Sequence, residues 1–390
     1  MIALLSLFTV GIFILILLVD ILPQFNTWQS RIKIGRYADQ ESWKQKVSEI
    51  SKKWLFSTPT IKLTDNKRLI IIDIIKGNYK RNAIQYWQEA SLLLGLIEEY
   101  KSTKSETTKV IINTYLDSKC NADGTWKIQP DQIDGVILAY AILSIPFIDA
   151  NKYKASFDGM YNLVLSLKGD DGTIAYKSHV KQFRYVDTIG FICPFLTEYG
   201  LKFNHNEAID LAVKQITEFN QYAMLNDTSI PCHTYHLQSK LPVGLFGWGR
   251  GLGWYAIGLI DAWKALPESD SRKSILQHYV IRFAKDAAQF QDNDGSWHWL
   301  ISNSASQRDS STVATLAWFY SNALSISEIA TLCTETKEKA LRYLMKVTQR
   351  NGAIDFSQGD TKGIAIHSQE FSILPFTQGF ALRTLYRKDS

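Results

Sequence analysis

With 390 residues, 46% hydrophobic and 21% charged, the chain is long enough for one large globular domain or two ordinary ones. Its formal charge of +5 is small and dispersed, without the long basic run that would argue for nucleic acid. Cys120, Cys193, Cys232 and Cys333 are far apart and form no CxxC pair, so no disulfide framework is implied and a reducing compartment is the simpler setting.

Residues 1–19 carry no side-chain charge and are dominated by Leu, Ile, Phe and Val. With Ile21 and Leu22 the run is long enough to cross the ~30 Å hydrocarbon layer as a helix. A cleaved signal peptide would need a basic n-region and an A-x-A-like site, and the segment has neither, so it reads as an uncleaved membrane anchor over residues 1–23. Arg31, Lys33 and Arg36 follow it and no Lys or Arg precedes it, which by the positive-inside rule leaves the bulk of the chain in the cytoplasm. Residues 24–45 are polar and read as a connector; residues 46–390 read as one domain.

That domain is predicted to be helical. Apolar-rich stretches of helical length occupy residues 86–100, 136–145, 189–199, 253–266, 275–290 and 312–324, and Pro146 is a natural stop for the second. A phrase recurs between helices: NADGTWKI at Asn121, GDDGTIAY at Gly169, DNDGSWHW at Asp292 and, degraded, RNGAIDFS at Arg350. Asp-Gly and Asn-Gly mark tight turns because glycine accepts positive φ. Asp123 and Asp171 lie 48 residues apart, Asp294 and Asn351 57 apart, and the unmarked interval of 123 between Asp171 and Asp294 has room for two or more units. A repeat of this length, two helices per unit, predicts an array of helical hairpins. Six fit the length. Closed into a ring they form an α/α toroid with its turns gathered around a cleft; left open they form a solenoid.

Five stretches carry possible chemistry. In PDQIDGVILAYAIL (residues 130–143), Asp131 and Asp134 stand at the entry of an apolar helix, as N-cap and first-turn residue or, on a toroid, with Asp134 facing the cleft. In FRYVDTIGFICPFLTEYG (183–200), Asp187 lies among apolar residues; a carboxylate losing hydration there favours its protonated form, which suits a general acid, while a helix cap is the commoner use of such an Asp. PCHTYHLQS (231–239) places His233 and His236 beside Cys232, too compact for a zinc site and better suited to touching substrate hydroxyls or to a plain surface loop.

LFGWGRGLGWYAIGLIDAW (245–263) alternates Gly247, Gly249, Gly251 and Gly253 with Trp248, Arg250 and Trp254 at a helix start. One reading makes it a pocket floor: Gly251 and Gly253 let backbone approach a ligand, Trp248 and Trp254 offer faces to a sugar ring, and Arg250 holds a carboxylate. The other makes the glycines helix-packing sites and the tryptophans core. In QRDSSTVATLAWFY (307–320), Asp309 or Ser310 is a sufficient helix cap.

Taken together and in this order, the stretches resemble the unsaturated uronyl hydrolases of glycoside hydrolase families 88 and 105, over roughly residues 80–385. WGRGLGW and VDTIGF are the most specific elements. The resemblance implies an all-α (α/α)6 barrel and a reaction in which an Asp protonates C4 of a C4–C5 unsaturated uronyl sugar and helps water add at C5. It implies Asp187 as acid/base, Asp134 as its assistant, Trp248 and Arg250 as substrate contacts and His233 as a sugar-binding His. No cofactor or metal is implied, and the partner is an oligosaccharide or polysaccharide. Many relatives read HGYD or HGWD where this chain has HTYH, with Thr234 and His236 in the Gly and Asp places. The anchor resembles relatives that accompany exopolysaccharide or capsule synthesis, so a bacterial inner-membrane location is expected, and a non-hydrolytic sugar-binding accessory of exopolysaccharide or capsule synthesis is the alternative function.

Overall fold

Among the described residues six helices are apolar on nearly every side and largely buried. The computed structural model describes residues 1–59, 66, 68–76 and 85–388. In chain order its helices are α1 (Ile2–Arg31), α2 (Gln40–Phe56), α3 (Ile70–Ile75), α4 (Tyr86–Thr103), α5 (Glu106–Lys119), α6 (Gly135–Leu143), α7 (Lys154–Ser166), α8 (Val186–Phe203), α9 (Asn206–Tyr222), α10 (Gly249–Ala265), α11 (Ser271–Ala288), α12 (Ser310–Ala323), α13 (Ala330–Lys346) and α14 (Pro375–Leu385). Helices α4, α6, α8, α10, α12 and α14 each touch the next, and α14 returns to α4, so the ring is closed. Helices α5, α7, α9, α11 and α13 cover the preceding inner helix, and α2 covers the α14–α4 seam. This is the closed (α/α)6 toroid, and the open solenoid is excluded.

The two layers differ as their sequences require. Every residue of α12 is buried, whereas α13 buries only Cys333, Thr336, Ala340, Tyr343 and Leu344, a single stripe at helical spacing. At the C-terminal end of the ring, Arg383 of α14 pairs with Asp261 of α10 at 2.7 Å, Tyr140 of α6 and Trp318 of α12 also donate to Asp261, and the Arg383 guanidinium lies 3.8 Å from the Trp318 ring centre. Four inner helices are tied there by one buried ion pair; removing either partner strands the other, at a cost of about 3–5 kcal/mol.

Each recurring Asp-Gly or Asn-Gly turn leads from an outer helix to the next inner one, and Gly124, Gly172, Gly295 and Gly352 all have positive φ. The unmarked interval holds a further turn after α9, where Asp227 takes φ 57 without a glycine, a conformation Asp tolerates better than most residues. The glycines of the 245–263 stretch serve packing. A Cβ on Gly249 would lie 2.2 Å from Thr312 Oγ1 and one on Gly253 2.4 Å from Thr315 Oγ1, so both seat α10 against α12. The expectation that Gly251 and Gly253 bring backbone to a ligand is corrected: Gly251 faces Trp248 and Val186, and Gly253 faces Thr315.

Two small sheets lie at the ends of the inner helices. In one, β2 (Cys232–His236) pairs antiparallel with β1 (Phe183–Tyr185) and β3 (Pro242–Phe246). The other is a hairpin of β4 (Ser357–Gln358) and β5 (Phe371–Ser372). All four cysteines are buried and unbonded to one another.

Helix α1 is exposed along its whole apolar run and is long and apolar enough to cross a membrane. It continues to Arg31, and along this part Gln24, Thr27 and Ser30 donate to the carbonyls of Asp20, Pro23 and Thr27 of the same helix. Helix α2 starts at Gln40 behind a capping box of Asp39 and Ser42. The connector expected over residues 24–45 is therefore mostly helix, and residues 32–39 alone separate α1 from α2.

Candidate active site

The N-terminal ends of α4, α6, α8 and α10 open into one cavity of about 280 Å³. Asp134, Asp187, His233, Trp248, Arg250 and Trp254 all line it. Helix N-termini carry unsatisfied N–H groups and the positive end of the peptide dipoles, so their convergence favours an anionic ligand before any side chain is counted.

Asp187 sits in the first turn of α8 and makes no cap bond; the residue at the N-cap is Tyr185. Its side chain is 15% exposed, and His233 Nε2 lies 3.6 Å from Oδ2. That oxygen is buried with no hydrogen-bond partner among the described residues. The apolar surroundings read from the sequence are those of the helix behind it; in the cavity its neighbours include Tyr176, Tyr185, His233 and Arg250. Asp134 is itself the N-cap of α6, where Asp131 was expected, yet its side chain makes no cap bond and Oδ1 is buried without a partner among the described residues. Burial raises its pKa to about 6, with the nearby charge of Asp360 acting in the same direction. Burial, with the charges of Asp187, Asp134 and Asp360, also holds the Tyr176 phenol well above its ordinary range, so it remains an O–H donor facing all three carboxylates.

The shift at Asp134 predicts a stability effect. Its carboxyl titrates near 3.8 unfolded and about 6 folded, so folding favours the protonated form. That contribution is fully present below about pH 4 and lost as pH rises through about 6. Asp134→Asn mimics the protonated state; it should stabilise the protein at pH 7 by up to about 3 kcal/mol and make no difference at pH 4. Urea titrations at the two pH values check this, and equal stabilities at pH 7 would contradict it.

Arg250, 2% exposed, presents its guanidinium between α10 and the β4–β5 hairpin. Nη2 donates to the carbonyls of Gln358 and Gly359, the latter at 2.8 Å, and Nε is buried without a partner among the described residues. No carboxylate pairs with it among the described residues; Trp87 lies 5.9 Å away as a cation–π neighbour. Trp248 donates from Nε1 to Gln358 Oε1 at 2.9 Å and is flanked by His233 and His367 at 4.7 and 4.8 Å. Trp254 packs on Phe191, Phe376 and Trp87. Both tryptophans are 2% exposed, so they form wall and core together; the half-buried Tyr176 and Tyr185 also line the cavity, packed on one another.

In the HTYH stretch, His233 reaches the cavity. Thr234 pairs with Tyr185 and donates to the Val243 carbonyl, and His236 bonds Ser239 and packs on Phe183, outside the cavity lining. Asp309 caps α12 as expected and also accepts from the Gln358 amide at 2.9 Å, which fixes the strand that holds Arg250 and Trp248.

The hairpin is the part of the site that sequence reasoning missed. Asp360, Thr361, Lys362 and Gly363 line the cavity, with Asp360 bonded by Gln85 at 2.9 Å. His367 stacks behind Trp248, both its nitrogens buried without partners among the described residues; burial and the charges of His233 and Arg250 lower its pKa to about 4, so it is neutral. The segment has no turn phrase and no apolar period, and only its tertiary position gives it a role.

The chain is similar to known proteins over most of its length. The sequence pattern of Glycosyl Hydrolase Family 88 matches residues 64–380. The chain is 19% identical over 336 residues to the unsaturated rhamnogalacturonyl hydrolase YesR of Bacillus subtilis (strain 168), covering 82% of this chain and 94% of that protein. Among solved structures it resembles a possible family-105 member from Salmonella enterica (TM-score 0.72, 17% identity, 90% of this chain and 94% of that one). It also resembles the unsaturated glucuronyl hydrolase of Bacillus sp. GL1 (TM-score 0.66, 15% identity, 88% and 96%). These proteins are named as hydrolases or hydrolase-family members, and none of the three is named for polysaccharide synthesis.

Proposed function

The chain belongs to Glycosyl Hydrolase Family 88 and is a glycoside hydrolase, and from that premise we propose that it acts on oligosaccharides ending in a C4–C5 unsaturated uronic acid. The observation that carries this reading is the meeting, in one cavity, of two carboxylates with partnerless buried oxygens and an arginine with no carboxylate partner among the described residues. Such atoms are costly to bury alone and are satisfied by a ligand that brings both hydroxyls and a negative charge.

In the proposed reaction the carboxylate at C6 lies toward Arg250, and Asp187 gives its proton to C4. Positive charge builds on C5 and the ring oxygen, next to the Asp134 carboxyl group. Water adds at C5, its proton returning to Asp187, which makes the same group acid and then base. The product carries both the ring oxygen and a hydroxyl on C5. The C5–O bond breaks to leave a ketone, the freed oxygen leaves a hemiacetal at C1, and its collapse releases the next sugar. One water is consumed and one glycosidic bond is lost. Ordinary glycosidases place two carboxylates around C1 instead.

Helix α1 acts as a membrane anchor in this reading. Its far end is part of the folded domain: Asp20 accepts from the Leu69 and Ile70 amides, and Arg31 is bonded to Asp355. Cleavage beyond residue 20 would remove that contact. Helix α3, capped by Asp20, exposes Leu69, Ile72, Ile74 and Ile75 beside the anchor, which suits the lipid interface.

The test is the conjugated double bond itself. Purified protein incubated with unsaturated glucuronyl and galacturonyl disaccharides is expected to erase their ultraviolet absorbance and release the second sugar. Intact absorbance across a panel of such disaccharides would reject the proposal.

A further inference from the structure

We propose that Arg31, the last residue of the anchor helix, is a positioning residue of the active site, stapling both roots of the β4–β5 hairpin. The inference rests on the functional reading above and adds the anchor to the machinery of that site. Arg31 donates from Nε and Nη2 to the two oxygens of Asp355, each at 2.9 Å, and from Nη2 to the Phe371 carbonyl at 3.0 Å. Asp355 precedes β4 and Phe371 lies in β5, so one planar guanidinium joins the two strands at their base. Its carbon also lies 4.5 Å from the ring centre of Phe356, a residue held at φ 61, where an L side chain is strained.

The hairpin needs this support. Its ladder is two residues long, Ser357 opposite Ser372 and Gln358 opposite Phe371, too short to set a loop by itself. Its load is large by comparison. Gln358 holds Trp248 through its side chain and Arg250 through its carbonyl, and residues 360–363 form one wall of the cavity. Asp355 is wholly buried, also accepts from Gln349 Nε2 at 2.7 Å, and its carbonyl accepts from Ser310 at the start of α12. The path from the membrane helix to Arg250 is thus Arg31, Asp355, β4, Gln358, with every step a direct or single-residue link.

The experiment uses the full-length protein in nanodiscs, as wild type, Arg31→Ala, Arg31→Lys and Asp355→Asn. Arg31→Ala is expected to raise KM for an unsaturated disaccharide about tenfold while kcat changes less than about threefold, because ground-state positioning is lost and the carboxylates remain. Arg31→Lys, with the charge but not the fork, should fall between wild type and Arg31→Ala. Hydrogen exchange of residues 356–372 should quicken by at least about tenfold in Arg31→Ala while α8 and α12 keep their protection. KM and exchange both within about twofold of wild type would overturn the proposal, as would a uniform loss of protection across the ring, which would make Arg31 a scaffold residue only. If wild type turns over no unsaturated sugar, the functional reading fails, and the exchange arm still decides whether Arg31 fixes the hairpin.

Discussion

Asp187→Asn is expected to lower kcat on an unsaturated uronyl disaccharide by about 10³-fold or more, the upper range for removing a group that serves as both acid and base. The substitution is close to isosteric, and Asp187 makes no cap bond whose loss would unfold α8. Its Oδ2 has no hydrogen-bond partner among the described residues, so an amide there deprives no protein donor of its acceptor. Melting temperature should therefore stay within a few degrees of wild type while absorbance loss stops. Substrate binding should persist, since Arg250, His233 and the hairpin are unchanged, and isothermal titration with the intact disaccharide would read it. A variant that binds and turns over within tenfold of wild type would remove Asp187 from the chemistry; the elevated carboxyl of Asp134 would then be the next proton donor to test.

Arg250→Met is expected to lower kcat/KM by about 10²- to 10³-fold, mostly through KM, because two charge-assisted hydrogen bonds to a carboxylate are together worth about 3–4 kcal/mol. Most of the loss should be specific to charge: a disaccharide whose C6 carboxylate is esterified should distinguish wild type from Arg250→Met far less than the free acid does. Part of the cost is internal, since the Gln358 and Gly359 carbonyls lose their donor. Arg250→Lys separates the two effects, keeping the charge while losing the fork that spans both carbonyls. An esterified substrate that discriminates as strongly as the free acid would show that Arg250 organises the hairpin and does not bind the carboxylate.

The two predictions concern residues of a different legibility from the hairpin they depend on. Asp187 and Arg250 stood out in the sequence because each is a lone charge in an apolar or glycine-rich run, a local anomaly that any window exposes. Gln358, Asp360 and His367 raise no such flag in SQGDTKGIAIHSQE, where polar residues are ordinary. Glycine turns were legible at four places, and the fifth was hidden because Asp227 takes positive φ without a glycine. The alternation of glycine and tryptophan signalled something unusual but not which use it had, since close helix packing and close ligand approach demand the same missing Cβ.

What the sequence by itself determined is the local grammar: all-round apolar helices destined for an inner layer, turns at helical-hairpin spacing, a membrane-length first helix, and the residues that line the candidate cavity from the inner-helix starts. Each follows from interactions within a few turns of chain. Closure of the ring by α14 on α4, the choice of α2 as sixth outer helix, and the stapling of Asp355 by Arg31 across 324 positions were decided only in three dimensions. The physical reason is that a side chain's burial is encoded by its near neighbours, whereas its partner is chosen by whichever distant segment satisfies its charge and hydrogen bonds once the core has formed.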